Sequence, residues 1–210
     1  MEEEKSTFDC IIPLGETCNV TFLIQNCKLK KETSLFEWFV SENLNSITKV
    51  LNKIIDKTDT EIIVHRSVRH IAINDNTIWT GHYKKEEFVP IYLRRRDRLL
   101  ETIQNNNNIL FVRMEGSSIK YTNENIEAFA SAIRRINPSC NGSKLLLISP
   151  HVSSLDHPFV IKEVYDGRIQ SSDPYCTGQR INTLFTSLLK KVGYNLEDTS
   201  DTTFTDISDV

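Results

Sequence analysis

Cys18 is the side chain with the most chemistry to offer. It follows Cys10-Ile11-Ile12-Pro13-Leu14-Gly15-Glu16-Thr17, an apolar run that ends at a glycine just where a helix is due to begin. A thiol attacks only as its thiolate, and the free group has a pKa of about 8.5. A helix N-terminus favours the anion, because its unpaired N–H groups and the positive end of the dipole face it. Thr17 suits the N-cap, and Val20, Phe22, Leu23 and Ile24 give the following segment an apolar face. The same corner also suits a small buried residue, the commonest fate of a free cysteine.

A nucleophilic cysteine needs a base within hydrogen-bond reach and a third group that orients the base. The histidines on offer are His65, His70, His82, His151 and His157. His65 and His70 stand among Arg66 and Arg69, which suits a solvated hairpin. His82 lies in Trp79-Thr80-Gly81-His82-Tyr83, where the glycine permits close backbone approach and the aromatics can wall a pocket. His151 and His157 bracket a turn-rich loop after an apolar run, a place where functional groups often sit. Composition does not choose between His82 and His151.

The elements that must position these residues follow from hydrophobic spacing. Strands are expected over Phe8–Leu14, Glu61–His65, His70–Ile73, Thr77–Tyr83, Ile109–Met114, Lys144–Ser149 and Phe159–Tyr165, with turns at Asn74-Asp75-Asn76 and Asp166-Gly167. Helices are expected over Thr17–Cys27, over Ser41–Asp56 with Ser41 as N-cap, from Pro90 to the asparagine run Asn105–Asn108, over Thr122–Ile136 with Thr122 as N-cap, and over Gln179–Val192. After Gly193 the chain carries acids among Thr and Ser with no Lys or Arg, which reads as a flexible tail over residues 195–210. The pattern is that of an α/β (α+β) chain.

Composition removes several function classes. A net charge of −3 gives no global pull toward nucleic acid, so the run Arg94-Arg95-Arg96-Asp97-Arg98 reads as a solvated face or a set of ion-pair partners. No stretch approaches the ~20 apolar residues of a membrane span. Met1-Glu2-Glu3-Glu4-Lys5 is too acidic for a secretory signal, and five cysteines without a CxxC pair argue for a reducing, cytoplasmic setting. The Cys and His residues lack metal-ligand spacing, so no metal is expected. Phosphate loops, HExxH and Gly-x-Ser-x-Gly are missing too, and no cofactor is expected.

Leu14-Gly15-Glu16-Thr17-Cys18 joined to Ser34-Leu35-Phe36-Glu37-Trp38 resembles the N-terminal signature of a poorly characterised family of papain-like cysteine peptidases, roughly S-L-G-x-x-C followed by S-x-P-F-D-W. Gly81-His82-Tyr83, the arginine-rich helix and Ile109–Arg113 also fit, so the resemblance covers about residues 8 to 115. Pro13, Leu35 and Glu37 stand where the family tends to have serine, proline and aspartate, and Tyr83 follows His82 in place of an aspartate. The resemblance implies a single papain-like domain over residues 6–194, with a central mixed sheet flanked by helices.

It also implies Cys18 as nucleophile and His82 as its base, and this is what selects His82 over His151. Glu37 keeps the negative charge of the family's aspartate and is the expected orienting acid, with Asp97 and Asp156 as further candidates. Gly15 and Thr17 would shape the turn and the oxyanion donors around the Cys18 N–H. Trp79 and Tyr83 would line the substrate site, and Trp38 would line it or fill core. The substrate would be a protein or peptide, or another amide or acyl compound. The competing expectation is a catalytically inactive scaffold that serves protein interaction.

Overall fold

A computed structural model of the chain describes residues 8–16, 18–30, 32–59, 63–65, 71–73, 78–80, 85–115, 121–165 and 179–194. In chain order its elements are β1 (Cys10–Pro13), α1 (Asn19–Asn26), β2 (Val40–Ser41), α2 (Leu44–Ile55), β3 (Ile63–His65), β4 (Ile71–Ile73), β5 (Ile78–Thr80), α3 (Lys85–Asn105), β6 (Ile109–Met114), α4 (Asn123–Ile136), β7 (Lys144–Ile148), β8 (Val160–Glu163) and α5 (Gln179–Lys191). The expected turns at residues 74–76 and 166–167 and the acidic tail lie outside the described residues.

An uninterrupted apolar strand must be covered on both faces, which is the habit of parallel sheets. β6, apolar except for Arg113, and β7, apolar after Lys144, are close to this type. With β1 and β8 they form a wholly parallel sheet in the order β1-β6-β7-β8. Alternation along β6 assigns the faces. Leu110, Val112 and Met114 pack against Val20, Leu23 and Ile24 of α1 and Phe185, Leu188 and Leu189 of α5. Ile109 and Phe111 face the opposite way, into a larger core with α2, α3 and α4. The result is a three-layer α/β/α arrangement. β1 is its edge strand, which explains why Pro13 is tolerated there.

The expected single mixed sheet is instead two sheets. The short strands form a separate antiparallel one, β2-β5-β4-β3; β3-β4 and β4-β5 are joined by short connections that favour antiparallel pairing, and β2 adds to β5 from farther along the chain. Ile78 of β5 is fully buried in the same core as α2, α3 and α4, so this small sheet joins the larger face.

Three helix starts differ from expectation, the first being α1, whose N-cap is Cys18 and not Thr17. α2 begins at Leu44, not after Ser41: Asn43 is the N-cap and its Oδ1 accepts the Ser46 N–H at 3.0 Å. Ser41 is buried in β2 instead. α3 begins at Lys85, so Pro90 lies inside the helix one turn from its start. There it forfeits a single backbone bond, a cost that a helix of 21 residues absorbs. Thr122 does cap α4, accepting the Asn125 N–H at 3.3 Å in a reciprocal box with the Asn125 side chain. At the far end of α4, buried Asn137 donates to the carbonyls of Ile103 and Asn106, at 2.8 and 3.0 Å, and so closes the end of α3.

Phe111, Phe129 and Phe159 meet edge to face or tilted, with ring centroids 5.3 to 6.4 Å apart, where α4 seats on the sheet. Phe129→Ala should therefore cost about 3–5 kcal/mol, the usual range for emptying such a site. Urea unfolding read by circular dichroism measures this, and a loss below about 1 kcal/mol would show that α4 is seated by other contacts.

Candidate active site

Cys18 stands one turn beyond the carboxyl end of β1, at the N-cap position of α1. Loops at the carboxyl ends of parallel strands are where α/β folds commonly place ligands and chemistry. The Cys18 backbone is helical (φ −69°, ψ 0°), and its side chain makes no capping hydrogen bond. The thiol is half-buried. Burial pushes it above its ordinary value, and a hydrogen bond from its own backbone N–H offsets this only in part. A thiol lowered by the helix terminus was expected. At Cys18 desolvation outweighs that backbone hydrogen bond, and the net direction is upward. Cys27 and Cys140 are pushed up for the same reason, but each also touches a hydroxyl, Thr186 at 3.6 Å and Ser143 at 2.8 Å.

The turn before Cys18 is held from beneath by a buried arginine. Arg113, fully buried at the end of β6, donates to Glu115 through Nε (3.1 Å) and Nη2 (3.0 Å), and to the Tyr121 hydroxyl through Nε at 2.9 Å. Its Nη1 reaches Ser41 Oγ at 2.8 Å and the Leu14 carbonyl at 3.5 Å, while Nη2 reaches the Ser41 carbonyl at 3.1 Å. Ser41 Oγ in turn donates to the Gly15 carbonyl, and the Ser41 N–H to the Glu16 carbonyl at 3.3 Å. Three successive carbonyls of the turn are thus fixed, directly or through Ser41. The left-handed conformation open to glycine is not used at Gly15; Gly193, at φ 79°, is the glycine that adopts it among the described residues.

Glu37 is 2% exposed, and its carboxylate turns to the far end of α1. Lys30 Nζ lies 2.8 Å from Oε2, and the Ser34 N–H donates to Oε1 at 2.6 Å. Burial raises this carboxyl above its ordinary value, while Lys30, the Ser34 N–H and Arg95 pull it down. Glu37 lines a cavity beside β1, and the base it was expected to orient, His82, lies outside the described residues. What ties this segment to α1 is backbone and ring contact. Thr21 Oγ1 donates to the Glu37 carbonyl at 3.0 Å, and Trp38 meets Phe22 edge-on at 5.8 Å with Lys30 over its other face. Trp38 is packed against the large core, which fits the core-filling expectation.

Thr17, His82 and Tyr83 lie outside the described residues. Trp79 is described in its backbone, paired between Val40 and Ala72. His151 is exposed, and its N–H donates to Ser149 Oγ at 3.3 Å. His157 is held by Glu127 at 3.1 Å and by the Phe159 N–H at 3.2 Å. Asp97 pairs with Arg96 on an exposed face, and the Asp156 N–H donates to Asn123. The arginine run is a set of ion-pair partners: Arg96 with Asp59 and Asp97, Arg98 with Glu32, and Arg95 buried near Glu37.

No protein-family model and no solved structure matches the chain. It is similar to an uncharacterized protein of Acanthamoeba polyphaga mimivirus, 24% identical in an alignment 147 positions long that covers 55% of this chain. The match spans 66% of that relative, just under two thirds of its length. No helix of the described residues is long and apolar enough to cross a membrane.

The amino-acid sequence alone gave Arg113, Ser41, Glu115 and Tyr121 no place at the site. The signal was a lone charge inside an otherwise apolar strand, because a charge there must be paired. Arg113→Met should cost about 3–5 kcal/mol at neutral pH by leaving Glu115 buried without its cation. Glu115 is already raised by burial, and losing Arg113 raises it further. Its protonated form then relieves the variant, so the deficit should be smaller at pH 5 than at pH 8. Urea unfolding at the two pH values checks this, and a deficit that grows on acidification would contradict it.

Proposed function

We propose that the protein is a thiol-dependent acyl-transfer hydrolase, of the papain-like kind the sequence resembles, with Cys18 as nucleophile and His82 as base. The observation that supports this most is the joint made by β2. Ser41 holds the carbonyls of Gly15 and Glu16 just before Cys18, and the same two-residue strand pairs with β5, the strand that leads to His82. β5 runs antiparallel to β2, with Ile78 opposite Ser41 and Trp79 opposite Val40.

In the reaction, His82 takes the Cys18 proton and the thiolate sulfur bonds to the acyl carbon of an amide or ester. The imidazolium returns the proton to the departing nitrogen or oxygen as that bond breaks, leaving a thioester. A water, deprotonated by His82, then attacks the thioester and restores the thiol. The Cys18 backbone N–H, at the start of α1, is a donor for the oxyanion. The substrate class is a protein or peptide, or a related amide or acyl compound.

A second reading, a non-catalytic scaffold, is favoured by the raised Cys18 thiol. One experiment separates the two. A buried thiol without a cationic neighbour stays protonated past its ordinary pKa, whereas an adjacent imidazolium stabilises the thiolate and lowers it. The rate of iodoacetamide labelling at Cys18 against pH should therefore turn upward well below about 8.5 in the native protein and above about 8.5 in His82→Ala. An inflection above 8.5 in both proteins favours the scaffold and overturns the dyad.

A further inference from the structure

At the amino-terminal edge of the parallel sheet, opposite the edge that carries Cys18, α3 gives way to β6 and α4 to β7. Asn141 and Gly142 form an exposed turn at this corner. Asn141 is the one asparagine of the chain that a glycine follows. An asparagine side chain is an amide, and the next backbone nitrogen can reach its carbonyl carbon through a five-membered ring. Three things normally hold that reaction back: a side chain screening the nitrogen, a hydrogen bond from its N–H, or a regular backbone. None of them applies here. Gly142 has no Cβ and stands in a turn, its N–H makes no hydrogen bond among the described residues, and neither does the Asn141 side chain.

The asparagines around it are each restrained. Asn137 precedes Pro138, which has no N–H. Asn106 Nδ2 donates to the Thr102 carbonyl at 2.8 Å, and the next N–H, of Asn107, donates to Asp9 at 3.1 Å. Asn108 precedes β-branched Ile109, whose N–H donates to Ser143 Oγ at 2.8 Å. The corner is also closely built. A methyl group added at Gly142 would collide with Asn108 Oδ1, so the main chain of the turn lies directly against that side chain. Buried Ser143 Oγ, besides accepting the Ile109 N–H, donates to the Asn107 carbonyl at 3.3 Å and meets Cys140 Sγ at 2.8 Å. The first residue of β6 is thus fastened to the residue after Gly142.

We propose that Asn141–Gly142 is a self-modification site, where succinimide formation and hydrolysis turn Asn141 into isoaspartate and unfasten this corner from β6. The Gly142 nitrogen gives its proton to hydroxide and bonds to Asn141 Cγ. The Cγ–Nδ2 bond breaks, and Nδ2 leaves as ammonia with a proton from water, which restores the hydroxide. Water then opens the ring. Attack at Cγ gives aspartate, and attack at the backbone carbonyl carbon gives isoaspartate, with the main chain rerouted through Cγ. Isoaspartate lengthens the main chain by one carbon–carbon bond, about 1.5 Å, where Gly142 has no room toward Asn108. The turn then cannot hold Gly142 against Asn108 and Ser143 under Ile109 together. Cys18 takes no part, so this site stands or falls independently of the thiol chemistry.

Incubation of the full chain in oxygen-18 water at pH 7 and pH 9, followed by peptide mass spectrometry, tests it. The peptide containing Asn141 should take up solvent oxygen as isoaspartate and aspartate, faster at pH 9 because the attacking nitrogen must be deprotonated. Its conversion should outpace that of Asn107 and Asn182 at least about tenfold, or about 1.4 kcal/mol of barrier. Asn141→Gln, which must close a six-membered ring, should lose the uptake. The isoaspartate form, separated by its added negative charge, should exchange the amides of residues 107–110 faster than the native chain. It should also exchange them faster than Asn141→Asp, which has the charge without the extra bond. Conversion of Asn141 at the rate of Asn107 and Asn182 would overturn the site, and exchange equal to that of Asn141→Asp would overturn the unfastening.

Discussion

Arg113 brings a full positive charge to the middle of the sheet edge, where water does not reach, and much of the surrounding geometry follows from satisfying it. A guanidinium in such a place must find an anion and acceptors for its remaining N–H groups, or the cost of desolvation would unfold the domain. Glu115 supplies the anion with both oxygens, Tyr121 a hydroxyl, and Leu14 and Ser41 the carbonyls. The chain just before Cys18 is therefore not a free loop. Its carbonyls are turned inward and fixed, which sets where the next residues, and the thiol, can lie.

The second consequence concerns the small antiparallel sheet. β2 is only two residues long, too short to be stable alone, yet it is anchored on one side by Arg113 and the 14–16 turn and on the other by β5. A short strand used as a joint links the edge of the large sheet to a separate structural unit. The ion pairs of α3 act similarly at longer range: Arg98 holds the connection at Glu32 and Thr33, and Arg96 holds Asp59 beyond α2. The arginine run, expected as a solvated face or a set of ion-pair partners, joins elements through Arg96 and Arg98.

Legibility varied with how local the determining contact is. Strands β6 and β7 and helix α4 were plain from uninterrupted apolar runs and from the Thr122 cap, because both signals are contained within a few residues. The start of α2 was misread, since Ser41 and Asn43 are both good caps and only the distant Arg113 takes Ser41 out of contention. Pro90 misled for a related reason: tertiary burial of Phe88 and Tyr92 carries the helix through a residue that normally opens one. The sheet division was hidden because strand direction depends on connections rather than on strand composition. At the site, Cys18 and its place before a helix were legible, whereas the direction of its thiol shift depends on burial, which the sequence does not display. Glu37 was visible as an acid but not as the partner of Lys30.

The central claim is that the Arg113–Ser41 contact fixes the backbone that presents Cys18. Ser41→Ala removes the hydroxyl link from Arg113 to Gly15 while leaving Arg113 paired with Glu115, so the fold should survive. Amide hydrogen exchange read by mass spectrometry then reports on the turn directly. Exchange in Ser41→Ala should accelerate in peptides covering residues 14–18 and stay at the native rate in those covering β6 and β7. Unchanged exchange across residues 14–18, in a variant that is otherwise folded, would contradict the account.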